Sequence, residues 1–271
     1  MGASFTLSKD TEDKNRTYTA AIAFNYDLVS PVGDVPVAMS AMPVSGPKQT
    51  SGKDKTKTVT DLLVGVTQVL DRHSLLQLNY NLSIRNGYLT DPYKILSIVD
   101  DSSGLLIDTD PYRFEARPDS RLSQSLYVKY VHQFTEDVVY LTYRYFWDDW
   151  NIYSQTIDIH YRYELGDGHY LMPHARYYQQ SSADFYSAYL LNSNTANTQI
   201  ASADYRLGEL TTTTLGLLYG LQFNEQSEFT IRAEVMQQSG KEPAKFGALD
   251  NQTLFPDVDA IILQAGYRFI F

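Results

Sequence analysis

Apolar and polar side chains alternate with a period of two along most of this chain. Between positions 74 and 85, for example, Leu76, Leu78, Tyr80 and Leu82 alternate with glutamine, asparagine and serine. Successive side chains of a β-strand point to opposite faces, so this pattern predicts strands with one apolar and one polar face. It recurs often enough to predict eleven strands, near 3–9, 15–28, 57–70, 74–86, 121–134, 138–148, 152–164, 169–180, 211–223, 228–238 and 259–271.

The length of these strands indicates what covers their apolar face. Soluble strands usually have about 5–6 residues, whereas a tilted strand needs roughly 9–11 residues to cross a bilayer. A soluble β-sandwich is the alternative, because its strands also alternate. The predicted lengths favour the membrane, where an open sheet edge is too costly and the sheet has to close. We therefore expect an all-β, antiparallel up-and-down transmembrane β-barrel, as a single domain over residues 1–271.

The connections between the predicted strands alternate between long and short. Long loops are expected near 29–56, 87–120, 181–210 and 239–258, and short turns near 71–73, 135–137, 166–168 and 224–227. Outer-membrane barrels place short turns in the periplasm and long loops outside. The C-terminus is therefore expected to be periplasmic. Because such barrels generally have an even number of strands, the count of eleven predicts that at least one N-terminal strand and a signal peptide precede Met1.

The composition narrows the range of partners. The net charge of −10 argues against a nucleic-acid partner, since phosphate binding needs clustered lysine and arginine. Apolar runs are far shorter than the roughly 20 residues of a transmembrane helix. The expected surroundings are the lipid bilayer and lipopolysaccharide of a Gram-negative outer membrane, and no cofactor is expected.

The end of the chain carries a pattern of its own. Tyr267, Phe269 and Phe271 place aromatic side chains on one face at the fifth-last, third-last and last positions. This arrangement resembles the C-terminal signal by which the barrel-assembly machinery recognises outer-membrane proteins. The resemblance makes that machinery an expected partner during biogenesis.

Several segments resemble a bacterial family called domain of unknown function 3570 (DUF 3570). They begin with Leu-Leu-Val-Gly-Val-Thr-Gln-Val-Leu at 62–70 and end with Ser-Ala-Asp-Tyr-Arg at 202–206; the others lie at 75–80, 87–94, 117–121 and 143–150. The resemblance implies outer-membrane proteins that are longer than this chain and have extra N-terminal strands. It implies a location and a fold, and no activity.

The polar face of the predicted strands carries charges of both signs. In a narrow barrel such groups form an ionic network that closes the lumen, because an unpaired buried charge is costly; in a wider barrel they line a channel. About twelve strands lie between these cases, and we expect a narrow or occluded lumen. The predicted lumen network is Arg85, Lys129, Arg144, Asp158, His160, Arg162, Glu164, His174, Arg176, Arg232, Glu234 and Arg268.

Two further groups lie where strands meet the outer loops. One is predicted to order the outer mouth and consists of Arg117, Asp119, Arg121, Asp148, Asp149 and Trp150. The other is a set of loop acids that includes Asp100 and Asp101. Hard cations such as Ca²⁺ prefer carboxylate oxygens, but the spacing matches no EF-hand loop, so solvated acids are expected.

The histidines are the candidate residues for a catalytic or a metal site. His132 has lipid-face parity and no evident serine partner, so an interfacial anchor is expected rather than a hydrolase site. His160 and His174 share the lumenal parity on adjacent strands. Two imidazoles can bind a metal, but we expect them to join the network of Arg162, Glu164 and Arg176. No catalytic residue and no metal ligand are predicted.

The function that this pattern favours is passage of a small solute, as in a porin-like channel or a transporter. The alternative is a non-conducting barrel that scaffolds or anchors a partner, its lumen closed by the ionic network. An outer-membrane hydrolase ranks third.

Overall fold

The computed structural model describes residues 1–43 and 45–270, and they form an antiparallel sheet of eleven strands with a smaller sheet of three strands beside it. In chain order the strands are β1 Gly2–Asp10, β2 Arg16–Val29, β3 Lys55–Val69, β4 Ser74–Gly87, β5 Ile95–Val99, β6 Tyr112–Phe114, β7 Ser120–Gln133, β8 Val138–Asp148, β9 Tyr153–Gly166, β10 His169–Gln180, β11 Tyr189–Leu191, β12 Leu210–Asn224, β13 Ser227–Gly240 and β14 Val258–Phe269. Short 3₁₀ helices occupy Asn192–Asn194, Tyr205–Leu207 and Gly247–Asn251.

The large sheet is a meander in which each strand pairs with the next strand of that sheet along the chain, while β5, β6 and β11 lie in the small sheet. The order of the large sheet is β1-β2-β3-β4-β7-β8-β9-β10-β12-β13-β14, and all ten pairings are antiparallel. All eleven predicted strands are present, with ends within two residues of the prediction. The all-β antiparallel architecture is therefore confirmed. No helix in the described ranges is long and apolar enough to cross a membrane.

The expected closure of the barrel is not present. Within residues 1–43 and 45–270, β1 pairs only with β2 and β14 pairs only with β13, so the sheet is open. The odd strand number gives a physical reason: each turn reverses the chain, so the first and eleventh strands run in the same direction. An antiparallel pairing between them is therefore not available, and the further N-terminal strand expected to complete the barrel stays a prediction.

The two faces of the sheet differ as the alternation predicts. On β14, the outward Ile261 and Leu263 are 78% and 76% exposed. On the other face, one groove of about 950 Å³ is lined by residues of β1–β4 and β7–β10, including Ser4 and Arg176, which shows that the sheet curls around it. Tyr267 and Phe269 of the predicted assembly signal lie on the outward side with Ile261, and Phe271 lies outside the described residues.

The buried apolar clusters lie in the long connections and at the β8–β9 hairpin, segments that were predicted to be loops. One cluster consists of Leu96, Ile98, Leu190 and Ala201, contributed by β5, β11 and the segment that follows. The other consists of Trp150, Ile152, Ala183 and Leu207. We call residues 87–119 and 181–209, with the β5-β6-β11 sheet, the long-loop cap. Leu207 also lines a second cavity, of about 410 Å³, together with Arg144 and Arg176 from the large sheet. The cap therefore packs against the long-loop end of the groove.

Candidate functional site

The concave polar face is the candidate site, and its charged groups form three layers along the strands. Following directly opposite residues from strand to strand places all twelve residues of the predicted lumen network on this face. Lys129, for example, lies opposite Thr142, which lies opposite Asp158. The layers run from the short-turn end, through the middle of the sheet, to the long-loop end.

At the short-turn end, the charges are paired. Arg162 donates to Glu164, and its guanidinium carbon lies 3.6 Å from the centroid of the Tyr170 ring. The Tyr170 hydroxyl donates to Glu228 at 2.7 Å, and Arg268 contacts the same carboxylate at 3.1 Å. Glu228 was not among the predicted network residues. These contacts form a continuous ionic ladder from β9 to β14.

The middle layer is built on two stacked imidazoles. His160 and His174 are direct cross-strand partners, and their ring centroids lie 4.0 Å apart with an interplanar angle of 8°. Asp158 contacts His160 Nδ1 at 3.0 Å and His174 Nε2 at 3.1 Å. Glu234 contacts His174 Nδ1 at 2.9 Å and Arg232 at 3.6 Å. The expectation that the imidazoles join Arg162, Glu164 and Arg176 named the wrong partners, because Asp158 and Glu234 are the carboxylates within reach.

From the middle of the sheet to its long-loop end, the concave face carries cations without ion-pair partners. Within residues 1–43 and 45–270, no carboxylate lies within 4.0 Å of the side-chain nitrogens of Arg85, Lys129, Arg144 or Arg176. The expectation of a self-neutralising network is wrong for these four. Arg85, Arg144 and Arg176 line an open groove in which water can hydrate them, which lowers the cost of leaving their charges unpaired.

The predicted outer-mouth residues divide into two kinds. Arg121 donates from Nε to Asp148 at 2.7 Å and lies over Trp150, with its guanidinium carbon 4.3 Å from the ring centroid. The Asp148 carboxylate also accepts the Trp150 amide at 3.0 Å, and Asp149 accepts the Leu122 amide at 2.9 Å. These contacts tie the β8–β9 hairpin to the start of β7. The Asp119 side chain, in contrast, makes no hydrogen bond or ion pair to any described residue.

A buried ionic cluster inside the cap was missed by sequence reasoning. Glu115 is fully buried and accepts hydrogen bonds from Arg117 Nε at 2.6 Å, from the Asp91 amide at 2.7 Å and from the Ser202 hydroxyl. Arg117 also donates to Asp204 at 2.9 Å. Arg117 and residues 202–206 lie in the segments that resemble the family, so the sequence did single them out. Their spacing in the chain does not indicate that Arg117 contacts Asp204 in the folded protein.

The electrostatics of the cap keep Asp204 ionised. Burial raises the pKa of Asp204, but the hydrogen bonds and charge of Arg206, together with the charge of Arg117, outweigh it and lower the pKa to about 2. Burial, followed by the nearby charges of Glu115 and Asp91, raises the pKa of Tyr88 to about 12. The cap is therefore held together by fixed charges at neutral pH.

His132 does have a serine partner, so that part of the sequence analysis is wrong. Ser74 lies directly opposite His132 in the register, and its hydroxyl is 2.9 Å from His132 Nδ1. Tyr130 stacks on the imidazole, and Phe134 meets it edge-on. Within residues 1–43 and 45–270, no carboxylate contacts the histidine. The pair therefore lacks the third group that orients the base in a hydrolytic triad.

The loop acids are used for local structure. Asp100 accepts hydrogen bonds from the backbone and hydroxyl groups of Ser103 and Ser102, and these bonds lower its pKa. Asp101 accepts from Ser193 across the cap. Among the described residues, the loop acids form no cluster with metal-ligand geometry.

Residues 1–269 match the family described as "Protein of unknown function (DUF3570)". The chain belongs to this family. The match extends well beyond the segments at 62–206 that carry the resemblance in the sequence, and it includes every strand of the large sheet.

Solved structures give distant likenesses to this DUF3570 protein. One is OmpT, an outer membrane protein of Vibrio cholerae, with 10% identity over 99% of this chain and 94% of that chain, and a TM-score of 0.37. Another is LpxR from Salmonella typhimurium, with 10% identity over 99% of this chain and 88% of that chain, and the same TM-score. These likenesses are too low for a function to be transferred. No curated protein matches the chain.

Proposed function

We propose that this protein is an integral outer-membrane protein of a Gram-negative bacterium that gives small anionic solutes a path along its concave face. The membrane part of the proposal is supported by the outward face, where large apolar side chains such as Leu141, Leu215 and Leu263 are exposed along strands of up to 15 residues. In water such a surface would be an aggregation site. In hydrocarbon it is solvated.

The orientation and the closure follow from the same reasoning. Short turns face the periplasm in outer-membrane barrels, which places the long-loop cap outside and the end of β14 on the periplasmic side. Hydrocarbon cannot satisfy the free edges of β1 and β14. In the membrane both edges are therefore paired, and the open sheet described above is part of a closed wall.

The solute class rests on one observation, the unpaired arginines of the groove. Arg144 and Arg176 line both the large groove and the cavity beneath the cap, and Arg85 faces the same groove. Unpaired guanidinium groups that line an aqueous path attract anions and repel cations. Arginine is also suited to bidentate contact with carboxylates and phosphates. Small carboxylate- or phosphate-bearing solutes are therefore the class that fits.

Current measurements in planar bilayers test this proposal. The full-length protein is expected to give current steps whose reversal potential in a KCl gradient reports preference for chloride. The double variant Arg144→Gln, Arg176→Gln is expected to lose most of that preference. Lys53→Gln, which removes a charge from an exposed loop, serves as the control and should leave selectivity unchanged.

Two outcomes would overturn the proposal. Folded protein that gives no current steps would favour the rival function, a non-conducting barrel that anchors a partner through its cap. Current steps with equal selectivity in the double variant and in the wild type would show that the arginines do not define the solute class.

A further inference from the structure

The middle layer of the groove contains three metal-ligand side chains that the proposed solute path does not use. Asp158, His160 and His174 each place one donor atom within 4.8 Å of the other two, and they are the group with this geometry in residues 1–43 and 45–270. From this arrangement we propose that the cluster binds a divalent transition-metal cation, with two imidazoles and one carboxylate as ligands.

The backbone brings the three ligand residues to one place on the sheet before any metal arrives. His160 and His174 are direct partners across the β9–β10 ladder, and Asp158 lies two residues before His160 on the same face. Because the three lie on two adjacent antiparallel strands, their separation is set by the ladder rather than by a flexible loop. Ligands on rigid elements lose less conformational freedom when they coordinate.

Glu234 gives the site a built outer shell. Its side chain is only 7% exposed, and its oxygen lies 2.9 Å from His174 Nδ1, on the side of the ring away from Asp158. A carboxylate that accepts the second N–H of a ligating histidine fixes the ring and is a common partner of metal-bound imidazole. The Nε2 atom of His174 is then left facing Asp158.

The reach of Glu234 depends on a glycine. His174 lies opposite Gly216 on β12, and Gly216 lies opposite Glu234 on β13. A Cβ atom built at position 216 would lie 2.6 Å from Glu234 Cγ. The missing side chain therefore gives Glu234 the room to pass over β12 and contact His174 on the strand beyond.

The hydrogen bonds of His174 also fit a bound cation. Both of its nitrogens face carboxylate oxygens, and an ionised carboxylate can only accept. A cation bound at Nε2, beside Asp158, leaves the Nδ1 N–H to be donated to Glu234.

The donor set indicates the kind of cation. Two imidazoles with one carboxylate suit Zn²⁺, Co²⁺, Ni²⁺ or Cu²⁺, whereas Ca²⁺ and Mg²⁺ prefer oxygen ligands alone. The His160 and Asp158 side chains are 29% and 19% exposed, so the cluster is open to the groove. Three protein ligands leave a coordination position for water or another ligand. The site is therefore one that exchanges its cation with the solution.

Binding of Co²⁺ and Zn²⁺ to the folded protein tests the proposal. We expect one equivalent of Co²⁺, detected by its visible absorption and displaced by Zn²⁺. His160→Gln and His174→Gln should each remove this binding, while Glu234→Gln should weaken it by about 10–100-fold. His73→Gln and His169→Gln are matched controls and should bind as the wild type does. Heat-modifiable migration on gels checks that each variant is folded.

A second measurement needs no variant. Zn²⁺ should protect His160 and His174 of the wild-type protein from acylation by diethyl pyrocarbonate, without protecting His73, and mass spectrometry would locate the modified rings. Absence of saturable Co²⁺ binding, equal protection of all histidines, or unchanged binding in folded His160→Gln and His174→Gln would overturn the proposal. Loss of chloride preference plays no part in either readout, so the two proposals fail independently.

Discussion

Replacing Glu115 by alanine tests whether the long-loop cap is held closed by its buried ionic cluster. Glu115 is fully buried and accepts two hydrogen bonds from Arg117, one from the Asp91 amide and one from the Ser202 hydroxyl. The substitution leaves the amide and the hydroxyl without an acceptor and Arg117 with one carboxylate instead of two. Removing one member of a buried pair costs about 3–5 kcal/mol.

The lower end of that range applies, because Arg117 keeps its contact with Asp204. A loss of about 3 kcal/mol lowers the free energy of cap opening enough to reduce hydrogen-exchange protection about 100-fold. Exchange measured by mass spectrometry should show this fall in β5, β6 and residues 201–207. Amides of β9 and β10 should keep their protection, because they belong to the large sheet.

The control is Asp108→Ala, which removes an exposed acid from the same connection and should change nothing. Unchanged protection of the cap in Glu115→Ala would refute the argument. So would an equal loss in β9 and β10, because the cap would then not open as a unit.

Three further predictions follow from the same structure. The carboxyl of Asp204 has a pKa lowered from its ordinary value of 3.8 to about 2. The ionised carboxylate therefore stabilises the cap above about pH 4, and this contribution is lost as the pH falls from about 4 through 2. Limited proteolysis at pH 7 and at pH 2 should show that the cap opens at the lower pH, and equal resistance at both would contradict the reasoning. Leu141→Lys places a charge on the outward face and should destabilise the protein by about 2–4 kcal/mol in bilayers, whereas Thr142→Lys on the groove face should cost far less; chemical unfolding in lipid vesicles measures both. Asp149→Ala should loosen the start of β7 in hydrogen exchange, because it removes the acceptor of an amide, and Asp119→Ala should not; equal effects would count against this assignment.

The large sheet could be predicted from sequence because its information is local. Each strand shows its two faces by alternation alone, so the ends of β4, β8 and β10 agree with prediction to within one residue. Parity also places charged side chains on the correct face. The alternation within one strand does not determine the register between neighbouring strands. It therefore cannot predict which charged side chains contact each other.

The candidate sites show this limit. Ser74 and His132 are 58 residues apart in the chain and meet only because β4 and β7 pair with each other across the intervening cap segment. Glu234 reaches His174 only because glycine lies between them on β12. The strands of the cap could not be predicted for another reason. β5, β6 and β11 have three to five residues each, which is too few for an alternating pattern to be recognised.

The central claim is that hydrocarbon covers the outward face of the large sheet and water covers the concave face. Site-directed spin labelling tests it directly, because the chain has no cysteine of its own. Labels at Gln77, Leu78, Asn79 and Tyr80 of β4 would be compared in lipid vesicles. We predict that collisions with oxygen peak at 78 and 80, and that collisions with a water-soluble nickel chelate peak at 77 and 79. Equal exposure of both faces to the nickel chelate would contradict the account.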